Sequence, residues 1–423
     1  MCVRGKNLKA LVLLLVFGQA LCFCADWNQY RGPNYNSISA ETGITTNWNE
    51  ANIKVLWRKE LHGGFSSFSV SSNKVYTLDK WIEQGVPKEF CIALDADTGK
   101  DLWVREIGVA RYDYPYDAAP YDGPRSTPTV VEGKVYVLSA HLGLYCLDAA
   151  SGRVLWSKDL IKELNARNIG WQNAASPIVE NGLVILNCGA SGQSFVGIDK
   201  DTGEIKWKSG DFGLTHSTPT VATIHGVKQV IFLTQQAVVS VNPANGQILW
   251  QHSFPRSVSI AASPVVANDI VYCTAGYGVG AYAYKVTKSG DSWSVRELWR
   301  KVGNKHCNQW STPVYYSGYI YGIFGFKQYK TAPLKCLQIG TGNEQWAKDG
   351  FGMGNLILVD KYFVVLSDQG EVYLIEANPK EYRELGKVKA VNGNCWSTPA
   401  YSNGRLYVRS HKEGACLLVS DKK

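Results

Sequence analysis

The chain has 423 residues, with 44 Lys and Arg against 36 Asp and Glu, and its formal charge is +8. Two Met beside 41 Gly, 14 Trp and 23 Tyr, with 45% hydrophobic residues and no long helical periodicity, fit a β-rich globular protein with many turns. A modest positive charge without a basic cluster excludes nucleic acid as the expected partner.

Residues 1–25 differ in kind from the rest. Arg4, Lys6 and Lys9 precede the apolar run Ala10 to Phe17, and the small residues Cys22, Cys24 and Ala25 follow, which reads as a secretory signal. The run is too short to span a bilayer comfortably, so no transmembrane segment is expected in the mature chain. Neither Cys22 nor Cys24 follows the small residue of a lipid-attachment site. Removing the segment takes away three positive charges and lowers the formal +8 to +5. The product is expected outside the cytoplasm, in the periplasm or the exterior, with or without a membrane attachment, and as a monomer.

Residues 26–50, from Asp26-Trp-Asn-Gln-Tyr-Arg-Gly-Pro33 to Thr46-Asn-Trp-Asn-Glu50, show turn formers and no strand alternation. They are expected as an extended lead-in lying across one face of the body. From residue 51 onward one unit recurs. Its template is Lys134 to Leu160: three strands of period-two alternation, with the turn Asp148 to Gly152 before the last. Asp can bond its own backbone two residues on, and Gly tolerates the positive φ of a tight turn. Upstream, Ser126-Thr127-Pro128 opens a fourth strand, with Pro where no ladder donor is needed.

Three markers repeat in phase. Trp57, Trp103, Trp156, Trp207, Trp250, Trp299 and Trp346 are spaced roughly 43 to 53 residues apart, the period of a four-stranded propeller blade. The turn recurs at Asp95–Gly99, Asp199–Gly203, Asn242–Gly246 and Gln338–Gly342. The opener recurs at Ala175-Ser-Pro177, Ser217-Thr-Pro219, Ala262-Ser-Pro264, Ser311-Thr-Pro313 and Ser397-Thr-Pro399. The Trp residues are expected to pack between neighbouring sheets, each removing roughly 150–250 Å² from water.

The fold expected is all-β, an eight-bladed propeller of four antiparallel strands per blade. Blade one covers 65–107, two 123–160, three 170–210, four 214–254, five 257–303, six 308–349 and seven 354–390. Blade eight takes 395–421 together with 51–61, because Val55 to Leu61 reads as a last strand that comes first. That N-terminal strand closes the ring and pairs edges that would otherwise invite aggregation. Blade seven is degenerate: Leu385 stands where Trp is expected, and Glu376-Ala-Asn-Pro379 replaces the Gly turn. Blade five carries a longer outer hairpin around Lys285 to Asp291.

Tandem strands with Asp-x-x-Thr-Gly-x-x-x-Trp, separated by Ser-Thr-Pro openers, resemble the pyrroloquinoline-quinone-type (PQQ-like) propeller repeat over essentially all of 51–423. The resemblance has two branches. One is the quinoprotein dehydrogenases, and it implies PQQ over the central channel, a Ca²⁺ on carboxylate and amide oxygens, an Asp base and often a disulfide of adjacent Cys. The other is the BamB-type outer-membrane assembly factors, which keep the repeat without the cofactor. The chain contains no adjacent Cys pair in the repeats, and no blade-top Glu, Asn and Asp set aligns with the metal and base positions. Segment Trp27 to Pro33 is similar to the lead-in of exported bacterial propellers of undefined role.

Two groups of residues are candidates for a site. The residue before each opener faces the funnel: Arg125, Ala174, His216, Ala261, Trp310 and Trp396. Of these Arg125, His216, Trp310 and Trp396 have the chemistry to grip a flat or anionic ligand, and the alternative is that the two Trp plug the channel. The second group is the loop between blades one and two, with Tyr112, Asp113, Tyr114, Tyr116, Asp117, Tyr121 and Asp122. Tyr offers contact area at low entropic cost, so this loop is a recognition candidate. Its Asp spacing does not match a calcium loop.

Six of the Cys beyond residue 25 sit inside strands as small hydrophobes, whereas Cys307 and Cys395 precede openers and are expected to be the more reactive. His306-Cys307 alone is not a zinc site. Two functions follow: a binding or assembly scaffold for a protein or extended polymer, or a PQQ- and Ca²⁺-dependent alcohol or sugar dehydrogenase. The unconvincing catalytic set favours the scaffold, which is not an enzyme.

Overall fold

The computed structural model describes residues 26–112, 122–327 and 332–421. The ring is an eight-bladed propeller; each blade is built on four antiparallel strands, consecutive in sequence in seven blades, while the eighth takes its outer strand from the N-terminal side of the chain. Blade eight closes it as expected. Lys54–Glu60 pairs antiparallel with Glu413–Leu418, in register Lys54 to Leu418 and Glu60 to Glu413.

The Trp ladder is an inter-blade device. In six seams the indole Nε1 of one blade donates to a carbonyl in the next blade's outer turn. The pairs are Trp57 to Ala96 O, Trp103 to Ala149 O, Trp156 to Lys200 O, Trp207 to Pro243 O, Trp299 to Ile339 O and Trp346 to Asn378 O, at 2.7–3.1 Å. The turn glycine lies flat on that ring. A Cβ on Gly246 would stand 2.3 Å from Trp207, and the same holds for Gly99 over Trp57 at 2.6 Å. The outer strand carries a register shift beside the Trp, between Val55 and Trp57 or Val154 and Trp156 for example, which turns the ring toward the neighbour.

Two seams lack this contact. Trp250 of blade four donates instead to Gln229 Oε1 in its own blade, at 2.7 Å. There the ten-residue strands Gly280–Ser289 and Ser292–Lys301 of blade five reach back over blade four, with His225 bonded to Val286 O and Tyr284 to Ser253 O. At blade seven Leu385 stands in the Trp position, and Trp48 of the lead-in packs on the adjacent Gly386, where any Cβ would strike the Trp48 carbonyl. The lead-in therefore fills this seam with buried apolar surface, but without the inter-blade bond, since the Trp48 indole N–H has no hydrogen-bond partner among the described residues.

A second girdle links the innermost strands. In five seams the hydroxyl of an opener accepts from the backbone N–H of the preceding blade: Ser67 N to Thr127 Oγ1, Thr127 N to Ser176 Oγ, Ser176 N to Thr218 Oγ1, Ser263 N to Thr312 Oγ1, and Thr398 N to Ser67 Oγ; between blades four and five Ser217 Oγ donates to Ala262 O instead. The opener thus needs its hydroxyl as much as its Pro. Where the ring closes, buried Arg409 of blade eight spans the seam to Thr77 Oγ1, Leu78 O and Gly63 O of the blade-one side. Buried Asp79 holds the same segment through the backbone N–H of His62 and Gly63.

The lead-in crosses one end of the central channel along the innermost strands. Trp27 O accepts from Val70 N of blade one, and Asn28 O from Val130 N of blade two. Tyr35 Oη donates to Val179 O of blade three. Arg31 reaches Thr220 of blade four and Pro264 of blade five. Strand Ile38–Ser39 then adds a parallel fifth strand to the inner edge of blade seven, and Thr45 N donates to Val419 O of blade eight. A cleft of about 410 Å³ remains between the lead-in and blades eight, one and two, beside Trp27, Val130 and Tyr401.

The shared contact makes a specific energetic prediction. Trp207→Phe strands the Pro243 carbonyl, and Gly246→Ala forces a methyl into the indole at a backbone φ of +72°. Each is expected to destabilise the fold by about 1–3 kcal/mol. Urea unfolding of the double variant should show less than the sum, because both changes break one contact.

Candidate functional site

Every opener begins at the end of the channel opposite the lead-in, so the residue before it stands at the open mouth. Blade one contributes there too. Ser66-Ser67-Phe68 is its opener, as the Ser67 bonds in the girdle show, and the residue before it is Phe65. Sequence reasoning passed over it because Phe replaces Pro; the Ser-Ser pair at the right phase was the available signal.

The aromatic half of the mouth is packed rather than open. The Trp310 and Trp396 rings lie 4.8 Å apart, Phe65 stacks on Trp396 at 4.4 Å, and Lys327 Nζ sits 4.5 Å over the same indole. Trp310 Nε1 donates to Met353 O, and the Trp396 carbonyl accepts from Asn355. These contacts fix both indoles as a plug between blades six, eight and one.

The polar half is built around Arg125. Its Nη2 pairs with Asp122 at 2.6 Å, its Nη1 donates to Trp171 O, and its guanidinium lies 5.4 Å from the Tyr112 ring centre. Tyr112 is itself buried and donates its hydroxyl to Glu89 Oε1, while Glu89 Oε2 accepts from Ala140 N. Burial holds the Glu89 carboxyl above its usual range. Tyr112 and Asp122 therefore pin the two ends of the inter-blade loop; Asp113, Tyr114, Tyr116, Asp117 and Tyr121 lie outside the described residues.

His216 is held on both sides: Nε2 bonds Gly170 O at 2.9 Å, and Nδ1 bonds Ser259 Oγ at 3.0 Å. Burial, reinforced by the charge of Arg125, brings its pKa down to about 4. The ring is neutral at physiological pH, with both nitrogens engaged. Ala174 and Ala261 are half-buried and bring no polar group. The structure thus joins Arg125, Asp122 and Tyr112, joins Trp310 and Trp396, and leaves His216 apart beside Trp171. Lys327, which the sequence did not single out, lies between the two halves, feeling the charges of both Asp122 and Arg125.

The expectation for Cys307 and Cys395 is corrected. Both are fully buried, and burial pushes both thiols up to about 12. Cys307 Sγ lies against the Asn304 and Gly325 carbonyls, so the loop before an opener is as enclosed as a strand.

The described residues of the mouth do not fit a calcium-bound quinone. Among the described residues no three acidic, His or Cys side chains converge on one point. Asp122 is engaged by Arg125, and the Trp396 ring already carries Phe65 and Lys327.

Repeat, ring closure and girdle together define a PQQ-like β-propeller. The chain belongs to the family whose model is described as outer membrane protein assembly factor BamB, which matches residues 88–321. It is 25% identical over 210 residues to the outer membrane protein assembly factor BamB of Moranella endobia, covering 44% of this chain and 47% of that protein. It is 22% identical over 219 residues to the tetrathionate hydrolase of Acidithiobacillus ferrooxidans, covering 52% of this chain and 36% of that one. The chain thus spans less than half the length of these curated relatives. In structure it resembles a quinohemoprotein alcohol dehydrogenase of Pseudomonas putida at 13% identity, with a TM-score of 0.67 over 94% of this chain and 81% of that one, a likeness of fold.

Two measurements check the site. Thiol titration of the folded protein should leave Cys307 and Cys395 unreacted, and denaturant should release both. Because folding lowers the His216 pKa from 6.5 to about 4, the unfolded chain binds the extra proton in that window. Stability contributed by neutral His216 is therefore present above pH 6.5 and falls as pH drops toward 4. His216→Gln should remove up to about 3 kcal/mol of that acid-side loss, read from urea midpoints at pH 7 and pH 4.5.

Proposed function

We propose that the chain is an exported binding and assembly scaffold that holds a protein or extended polymer on the face opposite the lead-in. The observation that carries this reading is where large apolar side chains remain exposed. Ile82 is 71% exposed, Val258 62% and Val302 61%, and with Val86, Val109 and Ile161 all six lie on the mouth-side rim. The other exposed ones, Val55, Leu56, Leu102, Val104, Val154 and Ile248, lie along outer strands. None lies in the turns at the lead-in end, which is the pattern of a one-faced interaction surface.

The assembly-factor relatives support this reading, and the leader-like residues 1–25 support export to the periplasm or beyond. A membrane attachment is compatible with it; no helix among the described residues is long and apolar enough to cross a bilayer. The dehydrogenase alternative is weaker, because the described mouth offers Trp indoles already covered and an acid already paired.

The test is capture from an envelope fraction with the tagged full chain. The triple variant Ile82→Asp, Val258→Asp, Val302→Asp should reduce partner capture at least tenfold while leaving the unfolding midpoint within about a degree, since exposed substitutions cost little. Unchanged capture by the variant would overturn the assignment of this face. So would a wild type that captures nothing yet forms a tight quinone and calcium complex.

A further inference from the structure

Arg31 has no role in the reading above, yet its setting is costly. It lies in the lead-in with a φ of 65° and is 3% exposed, beneath the innermost strands of blades four and five. Its Nη1 donates to Thr220 Oγ1 at 3.1 Å and Pro264 O at 3.3 Å, and its Nε to Ser37 Oγ at 3.4 Å. All three acceptors are neutral, and the Thr220 hydroxyl already gives its own proton to Pro264 O. Nη2 has no hydrogen bond among the described residues, and no carboxylate among them forms an ion pair with this guanidinium.

The contrast with Arg409 is instructive. That guanidinium is as deeply buried, but both its terminal nitrogens are bonded and the carboxylate of Asp79 lies close enough to favour its charge. Arg31 keeps its charge at neutral pH, with a pKa brought down by burial only to about 10. A cation this deeply placed without a counter-charge is costly, and of the five donors of its guanidinium those on Nη2 are unmet by protein and are not sealed off. The fixed charge at the other end of the channel does not compensate: Asp122 is matched by Arg125, and Lys327 has no ion-pair partner among the described residues.

We propose that Arg31 is an anion receptor at the closed end of the channel, taking a compact, weakly hydrated monoanion such as chloride on its open Nη2 edge. The anion supplies the missing counter-charge and ties the lead-in to blades four and five. The site is remote from the rim, so its failure leaves the scaffold reading untouched.

The experiment is thermal unfolding of the full chain at constant ionic strength, with sodium bromide or chloride exchanged for sodium fluoride, whose strong hydration disfavours a tight pocket. The wild-type midpoint should rise by a few degrees and saturate with bromide or chloride, as binding to the folded state requires. Arg31→Gln should lose that response, and Arg31→Lys should keep part of it. Parallel salt curves for wild type and Arg31→Gln would overturn the proposal. Should the Gln variant not fold, wild-type crystals grown in bromide decide: an anomalous peak within hydrogen-bond distance of Arg31 supports the site, and its absence at saturating bromide sinks it.

Discussion

The structure depends on one contact repeated around a circle: an indole near the end of one blade lies under the outer turn of the next and donates its N–H to a carbonyl there. Each blade alone is a small sheet with two apolar faces, too little to be stable in water. Neighbours bury those faces, and the indole sets how they meet. It fixes separation through ring thickness, and angle through a single directional bond. The turn glycine follows from the same geometry, since a side chain at Gly246 or Gly99 would occupy the space of the ring. The hydroxyl girdle performs the matching task at the inner edge. Blades are thus held at both radii, and closure by Lys54–Glu60 makes the arrangement cooperative.

The exceptions show how strongly the seam must be filled. Blade five has no Gly turn for Trp250 to dock under, and its long outer strands fold back to cover blade four instead. Blade seven lost its Trp, and Trp48 arrives from far outside the repeat. The lead-in is therefore part of the ring. By lying across the channel it also gives the molecule two unlike ends: one closed by backbone pairing, the other edged by blade-connecting loops and exposed aliphatic side chains. The scaffold role proposed above asks only for such an asymmetric rigid body with an exposed apolar rim. An enzyme of the quinone class needs an open ring face and converging oxygen ligands, and here Phe65 and Lys327 already cover Trp396.

Chemistry at the mouth is likewise subdued by packing. His216, Cys307 and Cys395 are reactive residue types, but enclosure drives each toward its uncharged form. Neutral His216 bonded at both nitrogens is a spacer between blades, and the two thiols are filling. Arg125 acts mainly by holding Asp122 and the Trp171 loop in place.

The sequence by itself determined the number of blades, their order and the closing strand, because the Trp, Gly-turn and opener markers recur in phase and each answers to a local rule of strand or turn geometry. It also set Arg125, Trp310 and Trp396 each one residue before an opener, since position in the repeat sets radial position. Only the tertiary structure decided what those residues touch. That Trp396 is covered by Phe65, that Trp48 packs beside Gly386, that Cys307 is sealed and that Arg31 is buried without an acid beside it all depend on contacts between segments from 18 to more than 300 residues apart. Periodicity reports which way a side chain leaves its own strand; burial and charge balance depend on what the rest of the chain brings to meet it.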